Sequence, residues 1–157
     1  MAWKWARDRC VAESRAITYT CAIAVRCIGQ DLPDVGLLVS PDHQIVLRGA
    51  RARTLYNADE VLVTARDLIK DHSIIRNHAQ REVTYIYIML LSHEIVFANS
   101  VATESFHSAS AELSAMEDAS RDRMFDRLPD LCDSVHNYGD YARRVLSDSE
   151  AAILQHA

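Results

Sequence analysis

A mostly β fold with a helical C-terminal tail is what this sequence predicts, on three observations. Short β-branched and aromatic runs fill residues 16–106, broken by one or two polar residues each. The composition turns Ala-, Ser- and charge-rich from Ser108 onward. The last twelve residues, LSDSEAAILQHA, carry a helix-start signature.

Taken in order, AITYTCAIAV (Ala16–Val25) predicts the first strand, being β-branched and apolar. GLLVS and QIVLRG are two short runs around the polar insert Ser40-Pro41-Asp42-His43. EVLVTA (Glu60–Ala65) follows a turn-like YNAD. The strongest β signal lies in Glu82–Phe106. Val83–Leu91 is almost wholly β-branched, aromatic or aliphatic; Ser92-His93 breaks it, Ile95-Val96-Phe97 resumes it and Asn99-Ser100 breaks it again. Such punctuation predicts hairpins, with His93 at one turn and Asn99 at the next. In the tail, Leu113, Met116 and then Met124 and Leu128 give a partial helical spacing. Ser147 is placed to cap the final helix, with Glu150 three residues on as its capping-box partner.

A chain of 157 residues fits one domain and can bury a core without disulfide staples. Net charge is −5, which argues against nucleic acid as a partner, since phosphate contact wants a basic face. The apolar stretches fall well short of the roughly 20 residues a membrane span needs, so no membrane partner is expected. No cleavable signal peptide is expected at the N-terminus, which leaves cytoplasmic residence and export without such a signal both open. Cys10, Cys21, Cys27 and Cys132 form no C-x-x-C pair and predict free thiols rather than a zinc or disulfide framework. His72 and His78 flank a polar loop with Asp71 but lack further ligands nearby, so no metal is expected. Phosphate-cradling and dinucleotide motifs are missing too, and no cofactor is expected.

The insert Ser40–His43 has two explanations. Pro41-Asp42 favour a plain turn with a surface histidine. Alternatively, a hydroxyl and an imidazole three residues apart point to one side, where the ring can protonate a leaving amine and the hydroxyl hold a carbonyl. His93 can serve as acid or base, or as a polar turn residue. Asn99, at a strand end, reads as a turn former.

The stretch LLVSPDHQIVLRGARARTLYNADEVLVTARDLI, followed by VTYIYIMLLSHEIVFANSVATESFHSA, resembles the Hint domain of the hedgehog/intein superfamily, closest to its bacterial branch. The likeness covers about Gly36 to Ser108, with weaker echoes in Ala16–Asp34 and in ARRVLSDSEAAIL. The resemblance implies a partial Hint-like β fold and self-cleavage of a backbone. An N-terminal cysteine or serine attacks the preceding carbonyl and converts the amide to a thioester or ester. It implies that Ser40 and His43 match the family's amide-activating pair. His93 and Asn99 match its later block, with Ser100 where the family carries glycine.

Two departures accompany the likeness. The family's opening Cys-Phe-x-x-Gly-Thr-like block is echoed only weakly by CVAESRAI at Cys10, with Ser14 and Arg15 where Gly and Thr would stand, though Ile17 fits. The terminal His-Asn of splicing inteins is absent. The expectation is therefore three segments: 1–15, including Trp3 and Trp5, outside the family; 16–107 a partial Hint-like domain; 108–157 the helical tail. Such a domain acts on its own chain or an upstream segment, and as this chain is expected to be inactive or incomplete. Unpaired strand edges predict self-association. The competing class is a non-catalytic β-rich protein-interaction module; a small-molecule enzyme has no motif in its favour.

Overall fold

The computed structural model describes residues 19–28, 32–70, 73–79, 83–110, 113, 116 and 118–155, with 10–16 and 156 described by backbone alone. Trp3, Trp5, Ile17, Asp71 and His72 lie outside these residues, as do the side chains of Cys10, Ser14 and Arg15.

Among the described residues the body is β, in three sheets. Strands β2 (Thr20–Ile23), β3 (Leu37–Val39) and β6 (Ile74–Asn77) form one, in the order β3-β2-β6. A five-stranded sheet has the order β10-β5-β4-β9-β8, with β4 (Gln44–Arg48), β5 (Glu60–Thr64), β8 (Ile95–Ala98), β9 (Val101–Glu104) and β10 (Arg144–Val145). Strand β7 (Val83–Met89) pairs antiparallel with β1 (Cys10–Ala16), register Cys10 to Met89 through Ala16 to Val83. Helix α1 (Ala50–Tyr56) lies between β4 and β5; α2 (Asp118–Arg127), α3 (Asp130–Asp133) and α4 (Asp148–His156) belong to the tail.

Three elements depart from the expected pattern. Among the described residues of the run Ala16–Val25, Thr20–Ile23 form β2 while Ala16 ends β1, which forms in CVAESRA. That segment lacks an alternating pattern and becomes a strand because β7 offers it seven paired positions. Helix α1 arises from the good helix formers of ARARTLY, closed by Asn57 in the left-handed conformation with its N–H donating to the Arg53 carbonyl. The residues ahead of His78 form β6 rather than a polar loop.

The hairpin expectation is half right. β8 and β9 do pair through the Asn99-Ser100 turn, Ala98 opposite Val101. β7 and β8 do not pair; they lie in different sheets, and Leu90–Glu94 crosses between them. His93 is therefore a buried crossover residue, not a surface turn.

Two main cores follow from this division. Cys21, Ile23, Val39, Ile45, Val61, Val63, Val101 and Leu154 pack between the larger sheets and α4. Tyr85, Tyr87 and Met89, the inward face of β7, pack with Phe106 against Met116, Met124, Leu131 and Tyr138. The tail thus supplies one wall of the second core. Its last helix starts as the sequence predicts. The Glu150 N–H donates to Ser147 Oγ at 3.4 Å and the Ser147 N–H to Glu150 Oε2 at 2.9 Å. No helix among the described residues is long and apolar enough to cross a membrane.

Candidate functional site

The insert Ser40–His43 is a tight turn and also a rigid mount. The His43 N–H donates to the Ser40 carbonyl at 3.1 Å, and the Asp42 N–H to Ser40 Oγ at 3.3 Å. The turn is tied to the end of β5. The Ala65 N–H donates to the His43 carbonyl at 2.8 Å and the Arg66 N–H to the Pro41 carbonyl at 3.0 Å. The Arg66 guanidinium binds the Asp42 carboxylate. Four backbone or hydroxyl bonds and one ion pair therefore fix where the imidazole begins.

Ser40 is buried, whereas His43 is half-buried. The His43 ring makes no hydrogen bond among the described residues. Burial holds its pKa below 6.5, and the Glu104 carboxylate nearby pulls it partly back. At neutral pH it is then a neutral imidazole with one N–H and one free lone pair, a form able both to accept and to donate a proton. One step beyond the Cys21–Val39 pair of β2 and β3, Thr20 lies across from Ser40. Its Oγ1 is buried without a hydrogen-bond partner.

His93 sits in a different situation. Its Nδ1 accepts from the Ala142 N–H at 2.9 Å, so its proton lies on Nε2, which donates to Glu104 Oε2 at 3.2 Å. Both ring nitrogens are occupied and the side chain is wholly buried. Glu104 Oε1 accepts from the Gln44 N–H at 2.9 Å, the residue directly after His43. One carboxylate thus links the β8–β9 hairpin, His93 and the start of β4. His107 lies beside it, ring centroids 5.3 Å from those of His93 and stacked on Tyr141 at 3.8 Å. Its Nδ1 accepts from the Ala109 N–H and its Nε2 donates to the Gly139 carbonyl, while burial lowers its pKa.

The structure brings Ser40, His43 and His93 to one region, joined through Glu104. It does not bring Asn99 there. Asn99 caps the far end of the β8–β9 hairpin, four residues from Ile95, or about 13 Å at the rise of a strand. Its Nδ2 donates to the Val35 carbonyl at 3.3 Å and the Gly36 carbonyl at 3.1 Å, fastening the turn to the loop before β3.

Glu104, His107 and Tyr141 escaped the sequence. The available signal was VATESFHS, where polar residues continue an apolar run without a turn former; all eight are buried. Burial pushes the Cys21 thiol up to about 11 and raises Cys27 as well. Cys132 is exposed on α3, in the tail. No three His, Cys, Asp or Glu side chains among the described residues are arranged to share a metal ion.

No curated protein and no solved structure matches the chain. Residues 3–110 match the Hint domain family. The match takes in β1 and its partner β7, the Ser40–His43 turn, the His93 crossover and Glu104, and ends just past His107. With more than half of its length inside that match and a strand-rich body around the motif, this chain belongs to the Hint domain family.

Proposed function

We propose that the chain is the amide-activating body of an autoprocessing Hint domain, incomplete as a cleaving unit by itself. The observation that carries this is the His43 ring: mounted rigidly, short of any hydrogen-bond partner among the described residues, and neutral at physiological pH. In the reaction, a thiol or hydroxyl attacks the carbonyl carbon of the peptide bond before it. The new S–C or O–C bond forms, the C–N bond breaks, and the nucleophile's proton ends on the released amine nitrogen. His43 relays that proton, and Ser40 orients the ring or the carbonyl. His93 serves as the support of Glu104 rather than as a proton carrier, since both its nitrogens are taken. Asn99 acts through the turn it closes. The substrate is this chain's own backbone or an upstream segment, and the nucleophile is Cys10 or a residue of another segment. The family match spans residues 3–110, and the tail packs against the body it covers.

The test is intact mass spectrometry on the chain with a reporter domain fused ahead of Met1, with and without added thiol. The expected mass is unchanged in all conditions. Release of the reporter at Cys10, lost in His43→Ala, would instead make the chain a complete self-cleaving unit. A His43 titration midpoint at or above 6.5 would remove the amide-activating role altogether. The competing module that binds protein without breaking bonds draws support from exposed apolar side chains, Ile86, Leu91 and Phe97 among them.

A further inference from the structure

Residues beyond the family match take part in the same hydrogen-bonded assembly. We propose that Gly139–Ala142, a short segment of the tail, is a positioning element of the site: it fixes the proton of His93 and thereby the aim of Glu104, and it holds the His107 ring, whose own proton the Ala109 N–H already places, beside them. That role rests on the autoprocessing function proposed above; the geometry beneath it does not. Three contacts converge from the segment. The Ala142 N–H donates to His93 Nδ1, the Gly139 carbonyl accepts from His107 Nε2, and the Tyr141 ring stacks on His107 with planes 13° apart. Tyr141 also meets His93 edge-on, centroids 5.1 Å apart.

A neutral imidazole has one N–H and one lone pair. By giving His93 Nδ1 a donor, Ala142 forces the ring proton onto Nε2, where it meets Glu104. Without that donor the proton can move to Nδ1, leaving a lone pair facing the carboxylate. Glu104 would then turn from His93, and its other oxygen would lose its fixed place on the Gln44 N–H, next to His43. The tail therefore reaches His43 through a chain of four residues: Ala142, His93, Glu104, Gln44.

The full chain labelled with 15N tests this through long-range imidazole correlations at pH 7.5, which report where each ring proton sits. The expected spectrum has His93 and His107 each as a single Nε2–H tautomer. Ala142→Pro deletes the donor; His93 should become a tautomer mixture and Gln44 amide exchange should quicken about tenfold, the scale of one lost hydrogen bond. Ala142→Gly keeps the N–H and should restore both signals. Gly139→Ala serves where the proline variant fails to fold. Gly139 has φ +94, with open space around it, so the methyl strains the segment that carries the Ala142 N–H without a clash and should move the His93 tautomer and the Gln44 amide the same way, by less. A mixed His93 tautomer in the unaltered chain overturns the assignment. So do variants that leave both the tautomers and the Gln44 amide unmoved. These readouts need no cleavage, so a silent reporter assay leaves them standing, and fixed tautomers do not rescue a failed cleavage reading.

Discussion

His93 donates its Nε2 proton to the Glu104 carboxylate across 3.2 Å, and both side chains are buried. Every other polar atom of the pair is also engaged, by Ala142 and Gln44. Glu104→Gln keeps the volume but has only one acceptor oxygen for two donors. One of them, the Gln44 N–H or His93 Nε2, would face an amide NH2. The expected cost is about 1–3 kcal/mol, the penalty for a buried donor left unpaired. Urea unfolding midpoints measure it; an unchanged midpoint would mean the pair adds no stability. The same variant should lower the His43 titration midpoint, because the Glu104 charge raises it now.

Stability should fall as pH drops below 6.5. His43 and His107 are both held below their ordinary value, chiefly by burial. The unfolded chain then binds protons near pH 6.5 that the folded chain does not, so stability rises with pH through that window. It is fully present above the unfolded value and is lost as pH falls toward the folded one. Glu60, whose pKa is lowered by Arg143, enters only below about 4.5. Unfolding midpoints at pH 7.5 and 5.5 check this. His107→Gln should flatten the difference between them; equal midpoints in the unaltered chain would contradict the burial effect.

At the hairpin tip, Asn99 and Ser100 have φ of +47 and +67, the left-handed pair that a two-residue hairpin turn needs. Asparagine tolerates that conformation, and serine does so only at a cost. Ser100→Gly should therefore stabilise the chain by about 1 kcal/mol. Asn99→Gly keeps the turn but drops the bonds to the Val35 and Gly36 carbonyls, and should destabilise by about 1 kcal/mol. Opposite shifts in melting temperature would confirm that Asn99 works as a fastener. A gain from Asn99→Gly would mean the side-chain bonds carry nothing.

The sequence made visible whatever depends on neighbours in the chain. Strands β4, β5 and β9, the Asn99-Ser100 turn and the Ser147–Glu150 cap all rest on spacings of a few residues. So does the Ser40–His43 turn, whose motif carried the family. Pairings across long separations were hidden. β1 became a strand only through β7, 67 to 79 residues on, and His93 looked like a hairpin turn because β7 and β8 adjoin in sequence but not in sheet pairing. Glu104 was hidden for the same reason. A glutamate in a strand suggests solvent, and its burial depends on Gln44, His93 and Ala142, none of them local.

The outer face of β7 should drive self-association. Inward Tyr85, Tyr87 and Met89 alternate with outward Thr84, Ile86 and Ile88, and Ile86 is 65% exposed. Among the described residues β7 lies with β1 in a sheet of two strands, and Ile88 beside Ile86 is 37% exposed, so this face is left partly open. Apolar side chains in a row on a strand face, beside a β1 edge with no further partner among the described residues, suit a second copy of the same sheet. The expected species in sedimentation velocity is a dimer or larger, dissolving to monomer in Ile86→Lys. Because the lysine points outward, the variant should melt as cooperatively as the parent. A parent that sediments as monomer at tens of micromolar would sink the proposal. A parent and variant that associate equally would move the contact elsewhere, to the β1 edge.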